Sequence, residues 1–553
     1  MTTWTQNYNP TGHWWLSALV AAIPLAVLFG LLVGARVQPH LAALAGGLSA
    51  VLVAVTVFHM PVVPASVSFL YGVAYGLLKI AWIVVAAVYL YDISVETGQF
   101  EILKSSVTHI TPDRRIQLLL VAFCFGAFLE GAAGFGTPVA IAGALLIGLG
   151  FRPLQAAMLN LIANTAPVAF GAIGAPIHAL ASVSGLPESD LSAMIGRILP
   201  LMSVLVPLWL VRTMVSWEET VEVLPAILVV GVSFAGTQFY WSNYRDSNLV
   251  DIVAGIVSLL VTMAFLRVWK PRRVFRFAED APVDAASGYT TRQILKAWRP
   301  FAILSAVVLV WGLPAVKLAM NNATTPAVRE GGWSVPWLHH VVVRGAPVVS
   351  KPVIEAAKFD FNWLTATGTG CFLAAIVAGS LLGLGPRVLM GIFWRTLRKM
   401  RFAVLAIAFM LGLGFVTRYS GMDAVLGLAF TRTGWLYPFF GTFLGWLGVA
   451  LTGSDTSSNT LFGNLQRITA EQIHIDPVLM CAANSAGGVM GKMVDAQSIC
   501  IATAATNQVG KEGTILRLVF WHSMALCAIV GVIVTVIAFL LPQMVPHGLT
   551  FIR

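Results

Sequence analysis

The sequence predicts an all-α polytopic membrane protein with about 12 transmembrane helices and two re-entrant hairpins, arranged in two inverted-topology repeats. Three observations predict it: an apolar composition, long apolar runs and a pair of similar interrupted segments. Of the 553 residues, 58% are hydrophobic and only 10% are charged, whereas soluble domains carry about 25% charged residues. Lipid must therefore face much of the surface, and in lipid only helices or closed barrels satisfy the backbone.

The apolar runs favour helices over a barrel. Barrel strands alternate apolar and polar residues, but the stretches 14–35 and 524–541 are almost uninterrupted apolar sequence. Their lengths match the roughly 20 residues that a helix needs to cross the hydrocarbon core. The net charge of +10 is explained by basic cytoplasmic loops, so we expect no nucleic-acid partner. The five cysteines form no CxxC pair, and we expect neither a metal nor a cofactor.

Lysine and arginine residues orient the crossings, because they collect in loops that stay in the cytoplasm. They place the N-terminus outside, and the most basic stretches, 267–299 and 387–401, in the cytoplasm. The predicted crossings are 14–35, 40–58, 66–91, 154–177, 198–215, 223–240, 249–267, 299–319, 363–385, 402–418, 477–498 and 518–541.

This pattern divides the chain into five segments. Residues 1–115 form N-terminal transmembrane helices, and residues 116–267 form the core of a first repeat with its hairpin. A cytoplasmic basic loop follows at 268–298, then connecting helices and scaffold at 299–435. Residues 436–553 form the core of the second repeat, with its hairpin and a C-terminal helix.

Two apolar segments are interrupted in a way that predicts the hairpins. In the first, the glycine-rich stretch Glu130–Pro138 separates two apolar arms of 12 to 14 residues, which is short for a full crossing. In the second, the hydroxyl-rich stretch Thr452–Thr460 separates the arm 437–451 from a helix that begins at Leu461. We expect the first hairpin to enter from the cytoplasm and the second from outside.

A second pair of motifs indicates an internal repeat. Residues 163–166 (ANTA) match residues 483–486 (ANSA), and Gly171 and Gly491 each follow seven residues after the asparagine. The interrupted stretches match at nearly the same offset, 322 residues against 320. Seven predicted crossings lie between the hairpins, and an odd number inverts the second copy. Inverted repeats with discontinuous helices are characteristic of secondary transporters, which bind substrate at the broken segments.

The breaks contain the candidate functional residues. A helix that restarts after a break leaves backbone N–H groups free, and its dipole favours an anion. Glu130 and Asp455 lie inside the breaks, where burial disfavours the charged form of a carboxyl, and they are the candidate proton-coupling residues. The substrate-binding candidates are Gly131, Gly134, Gly136, Asn164, Thr165, Ser454, Thr456, Ser457, Ser458, Asn459, Asn484, Ser485 and Lys492.

Structural roles remain open for the same residues. Glycines also allow close packing of membrane helices. A buried carboxylate can pair with a base for folding alone, and Lys492 can extend its ammonium to the interface. Lys492 is otherwise placed to pair with a substrate carboxylate or with Asp455.

Five strings of residues carry a family resemblance: 4–8 (WTQNY), 123–136 (FCFGAFLEGAAGFG), 164–171 (NTAPVAFG), 445–448 (GWLG) and 451–459 (LTGSDTSSN). Through them nearly the whole chain resembles the bacterial lactate permeases. It implies symport of L-lactate, D-lactate and glycolate with protons across a bacterial inner membrane, without catalytic residues. The wider superfamily implies two inverted repeats with re-entrant hairpins and an elevator-like motion.

Other functions are compatible with parts of the pattern. A sodium-coupled di- or tricarboxylate transporter could use the same hydroxyl groups and unwound carbonyls, and sodium dependence of uptake separates it. A membrane-embedded hydrolase is disfavoured because the sequence has no GxSxG or HExxH motif. A channel is disfavoured by the acidic residues inside the breaks. The expected partners are 2-hydroxymonocarboxylates, protons and the lipid bilayer; the sequence does not indicate the oligomeric state.

Overall fold

The computed structural model describes residues 3–31, 35, 37–108, 110–132, 134, 136–277, 289–312, 314–324, 332–349, 351–359, 362–508, 511–549 and 551. Residues 278–288 of the predicted basic loop, and Ala133 and Phe135 of the first interrupted stretch, lie outside the described residues. The described chain is mostly helical.

The first half of the chain supplies the N-terminal helices and the first repeat core. Its helices are α1 (Trp14–Phe29), α2 (Pro39–Thr56), α3 (Val62–Tyr75), α4 (Trp82–Glu96), α5 (Gln99–Thr108), α6 (Arg114–Leu118), α7 (Gly126–Ala132), α8 (Thr137–Gly148), α9 (Pro153–Ala163), α10 (Ala175–Ser184), α11 (Glu188–Met214), α12 (Trp217–Glu222), α13 (Leu224–Tyr244) and α14 (Val250–Val268). Two π-helical stretches, Gly76–Ala81 and Leu119–Phe125, join α3 to α4 and α6 to α7, and the 3₁₀ turn Ala172–Gly174 precedes α10.

The second half supplies the connecting helices and the second repeat core. Its helices are α15 (Thr291–Gly312), α16 (Pro314–Asn322), α17 (Thr367–Leu381), α18 (Pro386–Ser420), α19 (Met422–Phe430), α20 (Tyr437–Thr452), α21 (Asp455–Gln472), α22 (Pro477–Gly491), α23 (Ala496–Ala505) and α24 (Glu512–Leu540), with 3₁₀ turns at Thr431–Leu436 and Pro542–Met544.

Short strands form two small sheets. Strands β1 (Trp4–Thr5), β3 (Val342–Arg344) and β4 (Val353–Ile354) make one sheet, in which β3 is parallel to β1 and antiparallel to β4. Strands β2 (Trp333–Ser334) and β5 (Lys358–Phe359) form an antiparallel pair.

Each predicted crossing coincides with helix in the described ranges. Eight helical segments there are long and apolar enough to span a membrane, and several shorter apolar helices accompany them. The predicted continuous crossings at 154–177 and 477–498 are wrong in one respect, because each is divided into two helices. The predicted boundary at 402 is also wrong: α18 is one helix of 35 residues that includes the basic stretch, which contains no internal proline or positive-φ glycine.

Contacts between loops group the helix ends at two faces. At one face Gln6 donates to the carbonyl oxygen of Arg418 at 3.0 Å, and Asp190 accepts from the N–H of Gly548 at 3.0 Å. At the other, Arg115 pairs with Glu222 at 3.0 Å and donates to the carbonyl oxygen of Arg273. These contacts join segments that the charge pattern assigns to a common side.

The apolar interior is divided into two main clusters, and α10 lies between them. Ile177 and Leu180 belong to the cluster that contains the first hairpin. Ala175, Ala179 and Val183 belong to the cluster built by α1–α3 and α18. The N-terminus of α10 is thereby fixed from both sides, next to the cavity described below.

Candidate functional site

The second interrupted segment is a helical hairpin whose arms are joined along their length. Ser458 donates to the carbonyl oxygen of Gly445 at 3.0 Å, and Gln466 donates to that of Gly441 at 2.6 Å. In both pairs one residue precedes Gly453 and the other follows it by a similar number of positions. The two arms therefore run antiparallel. The turn is at Gly453, which has φ +73°, a conformation that glycine adopts without steric cost.

The break in this hairpin is shorter than the sequence suggests. Its second arm begins at Asp455, so the prediction that it begins at Leu461 is wrong. The cause is Ser454, whose side chain accepts from the N–H of Ser457 at 3.3 Å and caps the helix. The hydroxyl-rich residues up to Thr460 therefore lie in the first turns of α21, where the helix dipole is positive.

The first interrupted segment also turns back, but its first arm is longer than predicted. The helix is continuous over Arg114–Ala132, which is 19 residues and buried throughout, so the expected short arm is wrong. It ends where Gly134 (φ +58°) and Gly136 (φ +81°) take left-handed backbone conformations. The second arm, Thr137–Gly148, packs back against the first. Glu130 thus lies in the last helical turn rather than in a loop.

Two further helix breaks lie beside the hairpins. The chain leaves helical conformation between α9 and α10, where Gly171 and Gly174 have positive φ. The chain leaves helical conformation again at Lys492–Asp495, between α22 and α23. The order of a hairpin followed by a broken helix thus occurs twice along the chain.

A cavity lies where these breaks meet. It encloses about 380 Å³ of space free of protein atoms, part of it open. It is lined by Glu130, Gly134, Val168, Gly171, Ala172, Ala175, Pro176, Gly453, Ser454, Asp455, Thr456 and Lys492.

Positive potential enters the cavity from three sources. The N-termini of α10, at Ala175, and of α21, at Asp455, both line it. The third source is Lys492, which is 5% exposed and whose Nζ donates to the carbonyl oxygen of Gly453 at 2.5 Å. The same Nζ atom lies 3.6 Å from Oδ2 of Asp495, with which it forms an ion pair. Helix N-termini together with a buried ammonium form a site suited to an anion.

Asp455 faces the same cavity and is held by two donors. Ser485 Oγ and Asn459 Nδ2 donate to its Oδ2 at 2.5 and 3.2 Å. Its Oδ1 has no hydrogen-bond partner in the described part of the chain. Asn484 extends the network, because its Nδ2 donates to Asn459 Oδ1 at 3.0 Å. The carboxyl is therefore fixed in position, with one buried oxygen that lacks a partner among the described residues.

The remaining predicted residues lie around the cavity with different contacts. A Cβ on Gly131 would lie 2.8 Å from the Ile252 nitrogen, and one on Gly136 would lie 2.3 Å from the Ile501 side chain, so these glycines allow close packing. Thr165 donates to a carbonyl of its own turn, that of Ile162. Six of the predicted residues line the cavity: Glu130, Gly134, Ser454, Asp455, Thr456 and Lys492.

Sequence reasoning missed two features of the site. The segment from Val168 to Pro176 lines the cavity mainly with backbone and small apolar groups, which leave no polar signature in the sequence. Asp251, which lies on α14, is buried next to Glu130. It could have been found as an acidic residue inside an apolar crossing, a class that is functional by default.

Comparison with known proteins gives the family. The L-lactate permease family model matches residues 17–541. The chain is 46% identical over 551 residues to the L-lactate permease of Escherichia coli K12, covering 99% of this chain and 100% of that protein. It is 46% identical over 559 residues to the glycolate permease GlcA of the same strain, covering 98% and 100%. The Alcanivorax borkumensis YdaH transporter structure aligns with a TM-score of 0.42 and 14% identity, covering 85% of this chain and 86% of that one.

The fold and the family together define a multi-pass permease of the bacterial inner membrane. The chain belongs to the L-lactate permease family.

Proposed function

We propose that this protein imports L-lactate, D-lactate and glycolate in symport with protons, as a secondary transporter without enzymatic activity. The observation that carries the proposal is the cavity between two helix N-termini, which holds one buried lysine and two buried carboxyls. The names of the family's members, L-lactate permease and glycolate permease, support the substrate class.

The cavity supplies groups for each part of a 2-hydroxymonocarboxylate. The substrate carboxylate would bind the free N–H groups at the start of α21 and the ammonium of Lys492, and the dipole of α10 would favour its charge. The 2-hydroxyl would bind Ser454 or Thr456, which lie in the first turn of α21 and its cap. Two N-termini and a single lysine suit one carboxylate better than two.

A proton would travel on Glu130 or Asp455. Both line the cavity and both keep an oxygen without a hydrogen-bond partner among the described residues. Binding a proton together with the anion makes the cargo neutral, which lowers the cost of moving the loaded site past lipid. In this proposal the 12 crossings form two inverted repeats with membrane re-entrant hairpins, and the repeat cores move against the scaffold like an elevator.

The test is uptake of radiolabelled L-lactate into proteoliposomes that contain the purified protein. Acid outside and acid inside are compared, each with and without sodium, and D-lactate and glycolate are added as competitors. Accumulation driven by outside acid and independent of sodium supports the proposal. Uptake driven only by sodium, together with transport of di- or tricarboxylates, would replace it with the sodium-coupled alternative. Absence of any lactate uptake would reject the substrate class.

A further inference from the structure

Asp251 places a second carboxyl next to Glu130. It is 1% exposed, and its carboxyl approaches one donor, the backbone N–H of Gly171, without reaching full hydrogen-bond geometry. Helix α14 contacts α7 directly at Gly131, where an added Cβ would lie 2.9 Å from the Asp251 Cβ. The two carboxyl groups interact electrostatically across this contact. A buried carboxyl pair therefore lies at the wall of the cavity.

Asn164 adds an independent sign that this position binds something. It is 2% exposed and its amide approaches Glu130, yet neither amide atom reaches hydrogen-bond geometry with any described residue. Glu130 Oε2 is equally without a partner there. Five buried polar atoms on these three neighbouring side chains thus lack a well-formed hydrogen bond to any described residue. A proton bound to one of the two carboxyl groups would allow a hydrogen bond to form between some of these atoms.

The surrounding charges favour one proton rather than none in the unloaded pair. Two carboxylates that share a buried site resist ionising together, so one of them retains a proton. The charged side chains that act on Glu130 from the opposing break are Lys492, which favours a negative charge, and Asp495, which opposes it. The charged side chain that acts on Asp251 is Glu130. One negative charge on the pair is therefore stabilised by Lys492, which also forms an ion pair with Asp495.

We propose that Glu130 and Asp251 bind the transported proton as a pair. The proposal rests on the proton symport proposed above. In the unloaded protein the pair shares one proton and carries one negative charge. A second proton enters through the cavity with the substrate anion and forms an O–H bond on the remaining carboxylate. The same bond breaks when the anion leaves on the other side, so each cycle moves one proton with one anion.

The test compares Asp251→Val and Asp251→Asn in proteoliposomes, with two readouts: accumulation driven by a pH gradient, and exchange of internal for external lactate at equal pH. With wild-type protein a gradient of one pH unit can sustain about tenfold accumulation at one proton per anion. In Asp251→Val, Glu130 loses its partner and keeps its proton, so accumulation falls to none while exchange continues. In Asp251→Asn the amide donates in place of the carboxyl, so accumulation continues and its pH profile moves to higher pH.

Asp423→Asn is the matched control. Asp423 is also a buried aspartate, but it lies on α19, away from the cavity lining, and accepts from Asn464 Nδ2 at 3.2 Å. We expect its pH profile to match that of the wild type. Wild-type accumulation and an unchanged profile in both Asp251 variants would overturn the pairing. If Asp251→Val loses exchange as well, the profile of Asp251→Asn decides, and an unshifted profile overturns it. Absence of proton-driven uptake in the wild type would instead refute the proposed function.

Discussion

The Nζ atom of Lys492 donates a hydrogen bond of 2.5 Å to the carbonyl oxygen of Gly453, which joins the break after α22 to the turn of the second hairpin. The bond holds the ammonium of Lys492 at the wall of the cavity. There its positive charge attracts the carboxyl groups of Glu130 and Asp455. In the proposed function this lysine both holds the turn of the hairpin in place and supplies the counter-charge for an anion.

Replacement of Lys492 by glutamine should therefore weaken substrate binding. Truncating one partner of a buried hydrogen-bonded charge pair costs about 2–5 kcal/mol, so the KM for lactate should rise by at least about 30-fold. Lys399→Gln is the control, because Lys399 is 58% exposed and pairs with Asp92 outside the cavity. Initial rates of uptake over a range of lactate concentrations measure the effect. An unchanged KM in Lys492→Gln would show that the lysine only holds the turn of the hairpin in place.

Glu130→Gln should separate accumulation from binding. A glutamine keeps the size of the side chain but cannot bind and release a proton, so accumulation driven by one pH unit should fall from about tenfold to none. Exchange of lactate at equal pH should continue. Glu96→Gln, at an exposed ion pair with Arg395, should behave like the wild type. Proton-driven accumulation that survives in Glu130→Gln would assign the proton to another group, with Asp251 and then Asp455 the next to replace.

Gly445→Ala should destabilise the second repeat core. A Cβ at this position would lie 1.8 Å from the carbonyl oxygen of Asn484, so α20 and α22 would have to separate. Overpacking of this kind costs about 1–3 kcal/mol, and thermal unfolding in detergent should move to lower temperature. Gly236→Ala on α13 is the matched control, since nothing lies within 4 Å of its added Cβ, and alanine favours helix. Equal melting of both variants would contradict the close packing.

Cysteines at Thr5 and Val343 should cross-link. These residues are register partners in β1 and β3, and neighbouring strands lie about 4.8 Å apart, within disulfide reach. In a Thr5→Cys/Ile354→Cys control the cysteines are two strands apart, beyond that reach. Mass spectrometry of linked peptides detects the product. A membrane-impermeant thiol reagent should label both single-cysteine variants from outside; labelling from the cytoplasmic side would invert the predicted orientation.

The positions of the helices followed from the sequence, whereas the places where they break did not. Length and apolarity define a crossing, but glycine serves both a left-handed turn and a close helix contact. Gly134 takes the first role, Gly131 takes the second and Gly136 takes both, and the residue type alone does not distinguish them.

The repeat illustrates the same limit in the site. Asn164 lies where α9 ends, whereas its counterpart Asn484 lies in the middle of α22, although both sit in matching motifs. The side chains that carry a polar signature, such as Lys492 and Asp455, were found from the sequence. The N-terminus of α10 was not, because its contribution comes from the helix dipole, which no single residue type encodes.

The anchoring of the chain near residues 4 and 549 bears on how the protein can be handled. Thr5 lies in a strand of the small sheet, and the N–H groups of Gly548 and Leu549 both donate to Asp190. Both anchors lie at one face of the molecule, since Arg418, next to the first, contacts the carbonyl of Ser182 on the helix just before Asp190. An affinity tag or fluorescent reporter fused close to residue 4 or residue 549 would therefore clash with these contacts unless a flexible spacer is inserted. A solvent-facing interhelical loop on the opposite face is the better insertion point for a probe.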